Sequence, residues 1–340
     1  MGDHRIEERV GQMVAPRLYH SGIATFMGAA QCSLENLQSG AFAVVGVPYD
    51  YASGSRPGAR WGPRAIRQSS LYFDYFLHSG PDQDYVHVET GKEFHFKEDG
   101  DIVDLGDVEL YPMDVERTME TISDFIQQVI EKKATPIVLG GDHFITYPCF
   151  CGYARGVSGV AGPKKTGYIH VDAHFDMFDN HPAWGRFYHG STVRRIAESD
   201  LIDPSNILLI GVQGLLRKEA YEFLQRNHTK IITLKELRSQ GVGTTVRRVV
   251  EQLAMKVEHI YLSVDIDAVS SAFAPGTGGI TFDGVTDGQL LEMIDVLKEF
   301  PIGAFDVVEV APNYDLSERT QRLAAQILFD FIMHKVTGIR

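Results

Sequence analysis

Apolar residues fall along this chain in two alternating kinds of block. Short apolar runs closed by turn residues predict buried strands at residues 41–48, 102–108, 136–139, 167–171, 207–211, 231–234, 259–264 and 302–308. Between them apolar positions recur at helical spacing, as in Met119, Ile122, Phe125, Ile126, Val129 and Ile130, which predict a helix over 114–133. Further helices are expected from about 145 and over 191–199, 218–226, 244–256, 287–300 and 317–334, and Pro63 is placed to open another after a glycine-rich loop. Repeated strand–helix units require a mainly parallel sheet with helices on both faces. No linker or repeat interrupts the pattern, so residues 1–340 read as one domain. The first 40 or so lack a strong period and read as an arm with a short helix that packs on a neighbouring subunit. Residues 72–100 are polar, aromatic and irregular, a surface excursion at an active-site mouth or a subunit contact.

Three of the predicted strands end in acids and imidazoles. After Tyr168-Ile169-His170-Val171 come Asp172, His174 and Asp176 at every second position, which share one side if the extended geometry persists. Ile260-Tyr261-Leu262-Ser263-Val264 runs into Asp265 and Asp267, and Ile137-Val138-Leu139-Gly140-Gly141-Asp142 ends at His143. Neighbouring parallel strands would bring these tips together at the carboxyl edge, where open α/β sheets keep their ligands. Four aspartates converging in low dielectric repel one another unless protons or cations intervene. Carboxylate and imidazole donors suit manganese, and also nickel, cobalt, iron or zinc. Six candidate ligands are too many for one tetrahedral zinc and fit a two-metal centre that activates water for hydrolysis.

Composition narrows the class. A formal charge of −13 argues against a nucleic-acid surface, and no segment is long and apolar enough to span a bilayer. Cys32, Cys149 and Cys151 form neither a zinc spacing nor an even disulfide framework, which fits a reducing, cytoplasmic location.

Gly140-Gly141-Asp142-His143, Asp172-Ala173-His174-Phe175-Asp176 and Ser263-Val264-Asp265-Ile266-Asp267 resemble the three signature motifs of the ureohydrolase superfamily, which holds arginase and agmatinase. The loop Gly54-Ser55-Arg56-Pro57-Gly58-Ala59-Arg60-Trp61-Gly62-Pro63 resembles its agmatinase branch; read as structure alone it is a loop-to-helix junction without chemistry. The resemblance runs from about Gly46 to about Leu328. It implies a three-layer α/β/α fold with an eight-stranded, mainly parallel sheet, assembled as a trimer or hexamer. It also implies two divalent cations, manganese first and nickel as the alternative. One would be held by His143, Asp172, Asp176 and Asp265, the other by Asp172, His174, Asp265 and Asp267.

The same resemblance makes His189 the mobile catalytic histidine, Asp176 a proton relay and Glu309 the acid that binds a guanidinium. Alone, His189 reads as an exposed helix-cap residue and Glu309 as an ordinary strand-end acid. His170 reads as a satisfied core residue, and His181, His228 and His259 have no ligand context.

The chain departs from the agmatinase pattern where Gly279, Ile280 and Thr281 replace a Thr-Pro-Glu segment near substrate, and where Gln213 replaces an arginine. Gly279 and Ile280 are therefore expected at the pocket wall, and Ile280 and Phe282 either make that wall more apolar or fill the loop's own core. The expected activity is hydrolysis of a guanidino compound to urea, or a substituted urea, and an amine. Agmatine is the first substrate expected, and guanidine or an alkylguanidine of the metformin type is the alternative. From another class, an inactive subunit that stabilises a paralogous partner is the rival, and six intact ligands argue against it.

Overall fold

The structure, a computed structural model, describes residues 22–74, 84–88, 91–95, 102–161 and 165–336. In chain order the strands are β1 (Ala30–Gln31), β2 (Phe42–Gly46), β3 (Asp84–His87), β4 (Lys92–His95), β5 (Ile102–Asp107), β6 (Thr135–Leu139), β7 (Thr166–Val171), β8 (Ile207–Val212), β9 (Lys230–Thr233), β10 (His259–Asp265) and β11 (Ile302–Val308). Nine of them form one sheet in the order β1-β5-β2-β6-β11-β10-β7-β8-β9, with every neighbouring pair parallel. The resemblance implied eight strands. The ninth is β1, two exposed residues against β5 and too short to leave a period in the sequence.

Strand alternation sorts the core into two layers. Ile137, Leu139, Ile169, Val171, Leu262 and Val264 point to one face, where helices Gly62–Ser70, Val242–Ala254, Asp287–Leu297 and Arg319–Val336 bury their apolar stripes. Val138, Tyr168, Leu209, Tyr261 and Val308 point to the other, under Val115–Glu131, Thr146–Ala161, Thr192–Glu198 and Lys218–Arg226. Sheets buried on both faces read as near-continuous apolar runs, which is why the strands were legible.

Three expectations change. The arm's first 21 residues lie outside the described ones, but from Thr25 onward it packs on its own chain: Phe26 and Met27 are buried beside Ile66 and Phe73. Their amides donate to Asp104 Oδ2 and Ser70 Oγ, both at 2.8 Å. The excursion at 72–100 contains an antiparallel hairpin of β3 and β4, and none of its described residues lines the cavity discussed below. An unexpected helix, Leu234–Gln240, follows β9. Thr233 caps it, accepting from the Glu236 amide while the Glu236 carboxylate accepts from the Thr233 amide, a pairing whose Thr-x-x-Glu spacing is visible in the sequence.

Candidate active site

Four central strands supply the site. In sheet order they are β6, β11, β10 and β7, and their carboxyl ends lead into His143, Glu309, Asp265 with Asp267, and the Asp172–Asp176 segment. The three sequence clusters are therefore nearly adjacent, with β11 inserted between β6 and β10.

Each cluster opens with the same local device. Asp142, Asp172 and Asp265 each accept, through one carboxylate oxygen, the amide two residues on: Phe144 (3.2 Å), His174 (2.7 Å) and Asp267 (2.8 Å). An aspartate that caps its own turn in this way ends a strand and starts a bend. The extended geometry expected through Asp176 thus stops at Val171, and Asp172, His174 and Asp176 are gathered by a turn instead. Asp176 completes that turn at φ +47° and Glu309 lies at φ +62°, left-handed conformations uncommon for residues with a Cβ. Alternation along β11 alone would group Glu309 with Val307. Its positive φ breaks that alternation, and the carboxylate meets the amide of His143 (3.0 Å).

The gathered side chains form two groups that share Asp172. His143 Nδ1 lies 2.9 Å from Asp265 Oδ2, 3.1 Å from Asp172 Oδ2 and 3.2 Å from Asp176 Oδ2. His174 Nδ1 lies 3.3 Å from both Asp172 Oδ1 and Asp267 Oδ2. Metal–nitrogen bonds of about 2.1 Å place neighbouring octahedral ligands about 3 Å apart, so these spacings suit donors that share a cation. Asp172 Oδ2, Asp176 Oδ2 and Asp267 Oδ1 are buried without a hydrogen-bond partner, the condition of acceptors that face a cation. The residues fit two divalent cations.

Protonation tells the same story. Burial, then Asp267 and Asp172, hold the Asp265 carboxyl well above the usual range, and burial with the neighbouring Asp172 charge pushes Asp176 and Asp267 up to about 7. Burial would also raise Asp172, but His170, His143 and His174 hold it well below. The cluster is tolerable only with protons or metal among its acids.

A cavity of about 270 Å³ opens over the cluster. His143, His174, Asp176, Asp265, Asp267, His189 and Glu309 line it, as do Ser55 and Gly279. His189 Nε2 accepts from the Gly54 amide (2.9 Å), so its ring proton sits on Nδ1 and donates to Glu309 Oε1 (3.0 Å). Burial opposes a charge on His189, but Glu309 pushes it up to about 9. Its second proton would land on Nε2 against the Gly54 amide, so the ring must leave that amide to become imidazolium. The loop after β2 therefore reaches the site, where the sequence read only a junction. Asp142 Oδ2 anchors it through the Ala52 amide (3.0 Å).

Gly279 stands where the sequence placed it: a Cβ there would lie 2.9 Å from Asp267 Oδ2. Ile280 does not line the cavity and is 47% exposed, while Phe282 is 86% exposed, so neither forms its wall. Phe175, Met177, Phe178, Leu215 and Leu216 supply the apolar lining instead. The sequence offered no sign of this, because those side chains sit on turns without periodicity.

Behind the cluster lies a polar core. His143 Nε2 meets Ser263 Oγ (3.1 Å), which is 3.3 Å from Thr146 Oγ1, and the Tyr261 hydroxyl donates to Asp306 Oδ2 (2.6 Å). Asp306 is fully buried in this layer, on the face opposite Val307.

A parallel α/β/α sheet carrying a shared-carboxylate His/Asp cluster at its rim defines a class of metal-dependent hydrolase. The model of the arginase family matches residues 40–334, and the chain belongs to that family, whose members are binuclear metal enzymes. It is an amidinohydrolase acting on guanidino C–N bonds. The mitochondrial guanidino acid hydrolase of Homo sapiens is 33% identical, over 91% of this chain and 82% of its own length. The proclavaminate amidinohydrolase of Streptomyces clavuligerus is 32% identical, over 94% and 95%. The solved structure of the latter enzyme superposes with a TM-score of 0.77 at 29% identity, covering 94% of this chain and 99% of that one. Among the described residues no helix is long and apolar enough to cross a membrane.

Proposed function

We propose that the chain hydrolyses a guanidino compound to urea, or a substituted urea, and an amine. The supporting observation is the His189–Glu309 pair on the cavity wall above the cluster. His143, Asp172, Asp176 and Asp265 would hold one cation, and Asp172, His174, Asp265 and Asp267 the other, with manganese the first choice and nickel the second. When bound, the pair of cations activates water as a nucleophile near neutral pH.

The chain's own residues do the rest. Glu309, held below the usual carboxylate range despite its burial, stays ionised and accepts the N–H groups of a planar guanidinium. A guanidinium at Glu309 displaces His189, which then carries a proton to the departing amine. Asp176, on the cavity wall beside His143, relays a proton from the attacking water. Ser55 and the backbone at Gly279 close the walls, since any side chain at Gly279 would strike Asp267.

Agmatine is the substrate to test first. The apolar lining of Phe175, Met177, Phe178, Leu215 and Leu216 favours the second reading, an alkylguanidine, because among the described residues the cavity's acids are those of the cluster and Glu309, with none left for an ammonium tail. Related proteins carry the names agmatinase, in Gallus gallus, and guanidinopropionase, in Pseudomonas aeruginosa, so guanidino acids belong in the same panel. A homo-oligomer of three or six subunits is the expected assembly, and activity of the pure chain, once measured, would exclude a silent subunit that needs a paralogue. The test is urea or alkylurea release from each compound by manganese- and nickel-loaded protein, with Glu309→Gln as control. Glu309→Gln keeps its metal and loses about 10- to 100-fold in kcat/KM, the worth of a charge-assisted pair. Unchanged turnover would remove Glu309 from the mechanism.

A further inference from the structure

His170 stands two residues before Asp172 on β7 and is fully buried. The sequence gives it a core role, but its surroundings are polar. Its ring stacks on the His143 ring with centroids 4.7 Å apart and planes 18° from parallel. Its Nδ1 is 3.1 Å from the Tyr168 hydroxyl, and its Nε2 is 3.0 Å from Asp172 Oδ2. That last pair is close but off axis, and neither atom has a hydrogen-bond partner among the described residues.

We infer that His170 is a positioning residue: it holds the bridging carboxylate of Asp172 by its second oxygen and so sets the affinity of the cation position beside His143. This rests on the two-cation reading above.

The chemistry follows from the chain of contacts. When the Tyr168 hydroxyl donates to Nδ1, the ring hydrogen is on Nε2, facing Asp172 Oδ2. Asp172 Oδ1 is already fixed by the His174 amide at 2.7 Å, so Oδ2 is the oxygen left to swing. Oδ2 is also the oxygen turned to His143, at 3.1 Å. A carboxylate shared by two cations must present both oxygens at fixed angles, and a buried neutral donor behind one of them restricts its rotation without competing in charge. His143 has the same arrangement, with Nδ1 toward the acids and Nε2 on Ser263. Register places Ser263 of β10 directly beside His170 of β7, so the two supports are neighbours in the sheet. Both stand two residues inside a bridging aspartate, with a tyrosine two residues deeper again: Tyr168, His170, Asp172 and Tyr261, Ser263, Asp265.

The experiment compares the wild-type chain with His170→Leu, His170→Gln and Tyr168→Phe. Manganese bound per chain is measured by elemental analysis after dialysis, each step is titrated calorimetrically, and the melting temperature of the metal-free protein reports folding. His170→Leu is expected to melt like the metal-free wild type, to keep one ion after dialysis, and to bind the other about 10- to 100-fold more weakly. His170→Gln, whose amide nitrogen can reach the place of Nε2, recovers most of that loss. Tyr168→Phe shifts the same step in the same direction by less. The inference is overturned if His170→Leu binds both ions within twofold of wild type, or if His170→Gln and His170→Leu lose affinity equally, which marks simple packing. If His170→Leu does not fold, Tyr168→Phe decides: a second-ion affinity within twofold of wild type overturns the inference. A wild-type chain that takes up no second ion refutes the two-cation reading itself, a result distinct from these.

Discussion

At the scale of single residues, the cluster was legible and its strain was not. Acid and imidazole groups at every second position after an apolar strand are a written pattern, and Asp172, His174 and Asp176 converge as it suggests. Nothing in the letters Asp176 and Glu309 says that both carry positive φ, since that conformation is imposed by the turn around them. His170 is buried as the sequence suggests but is not the satisfied core residue expected: its Nε2 has no hydrogen-bond partner among the described residues and stands beside Asp172, because a ring's direction is set by tertiary contacts. Gly279 gives a direct test of how closely the backbone approaches the acids. A methyl there lies 2.9 Å from Asp267 Oδ2, so Gly279→Ala should leave the fold intact and lower occupancy of the cation position at His174 and Asp267. Elemental analysis checks this, and an alanine variant with full metal content would mean that the loop has room to retreat.

At the scale of elements, strands and long helices were readable because a sheet covered on both faces forces continuous apolar runs and its helices carry one apolar stripe. The failures were short elements. β1 has two residues, and the helix Leu234–Gln240 was absorbed into the end of β9, although Thr233 and Glu236 carry its start signal. The loop after β2 reads as a plain junction because its links to the site run to residues far along the chain, His189 at the Gly54 amide and Asp142 at the Ala52 amide. That aspartate accepts from Ala52 and from Phe144, and both amides are in buried surroundings. Asp142→Ala should destabilise the chain by about 1–3 kcal/mol for each donor left without a partner. It should also raise KM, as the loop holding Gly54 and Ser55 loosens. Denaturant unfolding and steady-state kinetics read the two effects separately, and a variant as stable as the wild type would show that water replaces the carboxylate.

At the scale of the whole molecule, the acids and the cations are linked through stability. Asp176 and Asp267 rise from 3.8 to about 7 in the folded, metal-free protein, so the folded state binds more protons than the unfolded one between those values. Stability that is complete below about pH 4 is therefore lost as pH rises towards 7. Asp172 and Glu309 are shifted down, so their contributions are already complete above the same lower limit and do not oppose the trend. Divalent cations replace those protons and bind better as the acids ionise. The melting temperature of the chelated protein should fall between pH 5 and pH 8 while that of the loaded protein holds or rises, so the gap widens. Parallel curves would mean that the acids are not strained by one another.

The metal-dependent expectations all rest on Asp172 standing between two cations. The most direct measurement is anomalous diffraction from crystals of the manganese-loaded chain. Two peaks should appear, one bounded by His143, Asp172, Asp176 and Asp265, the other by Asp172, His174, Asp265 and Asp267. A single peak, or ions bound away from Asp172, would contradict the account.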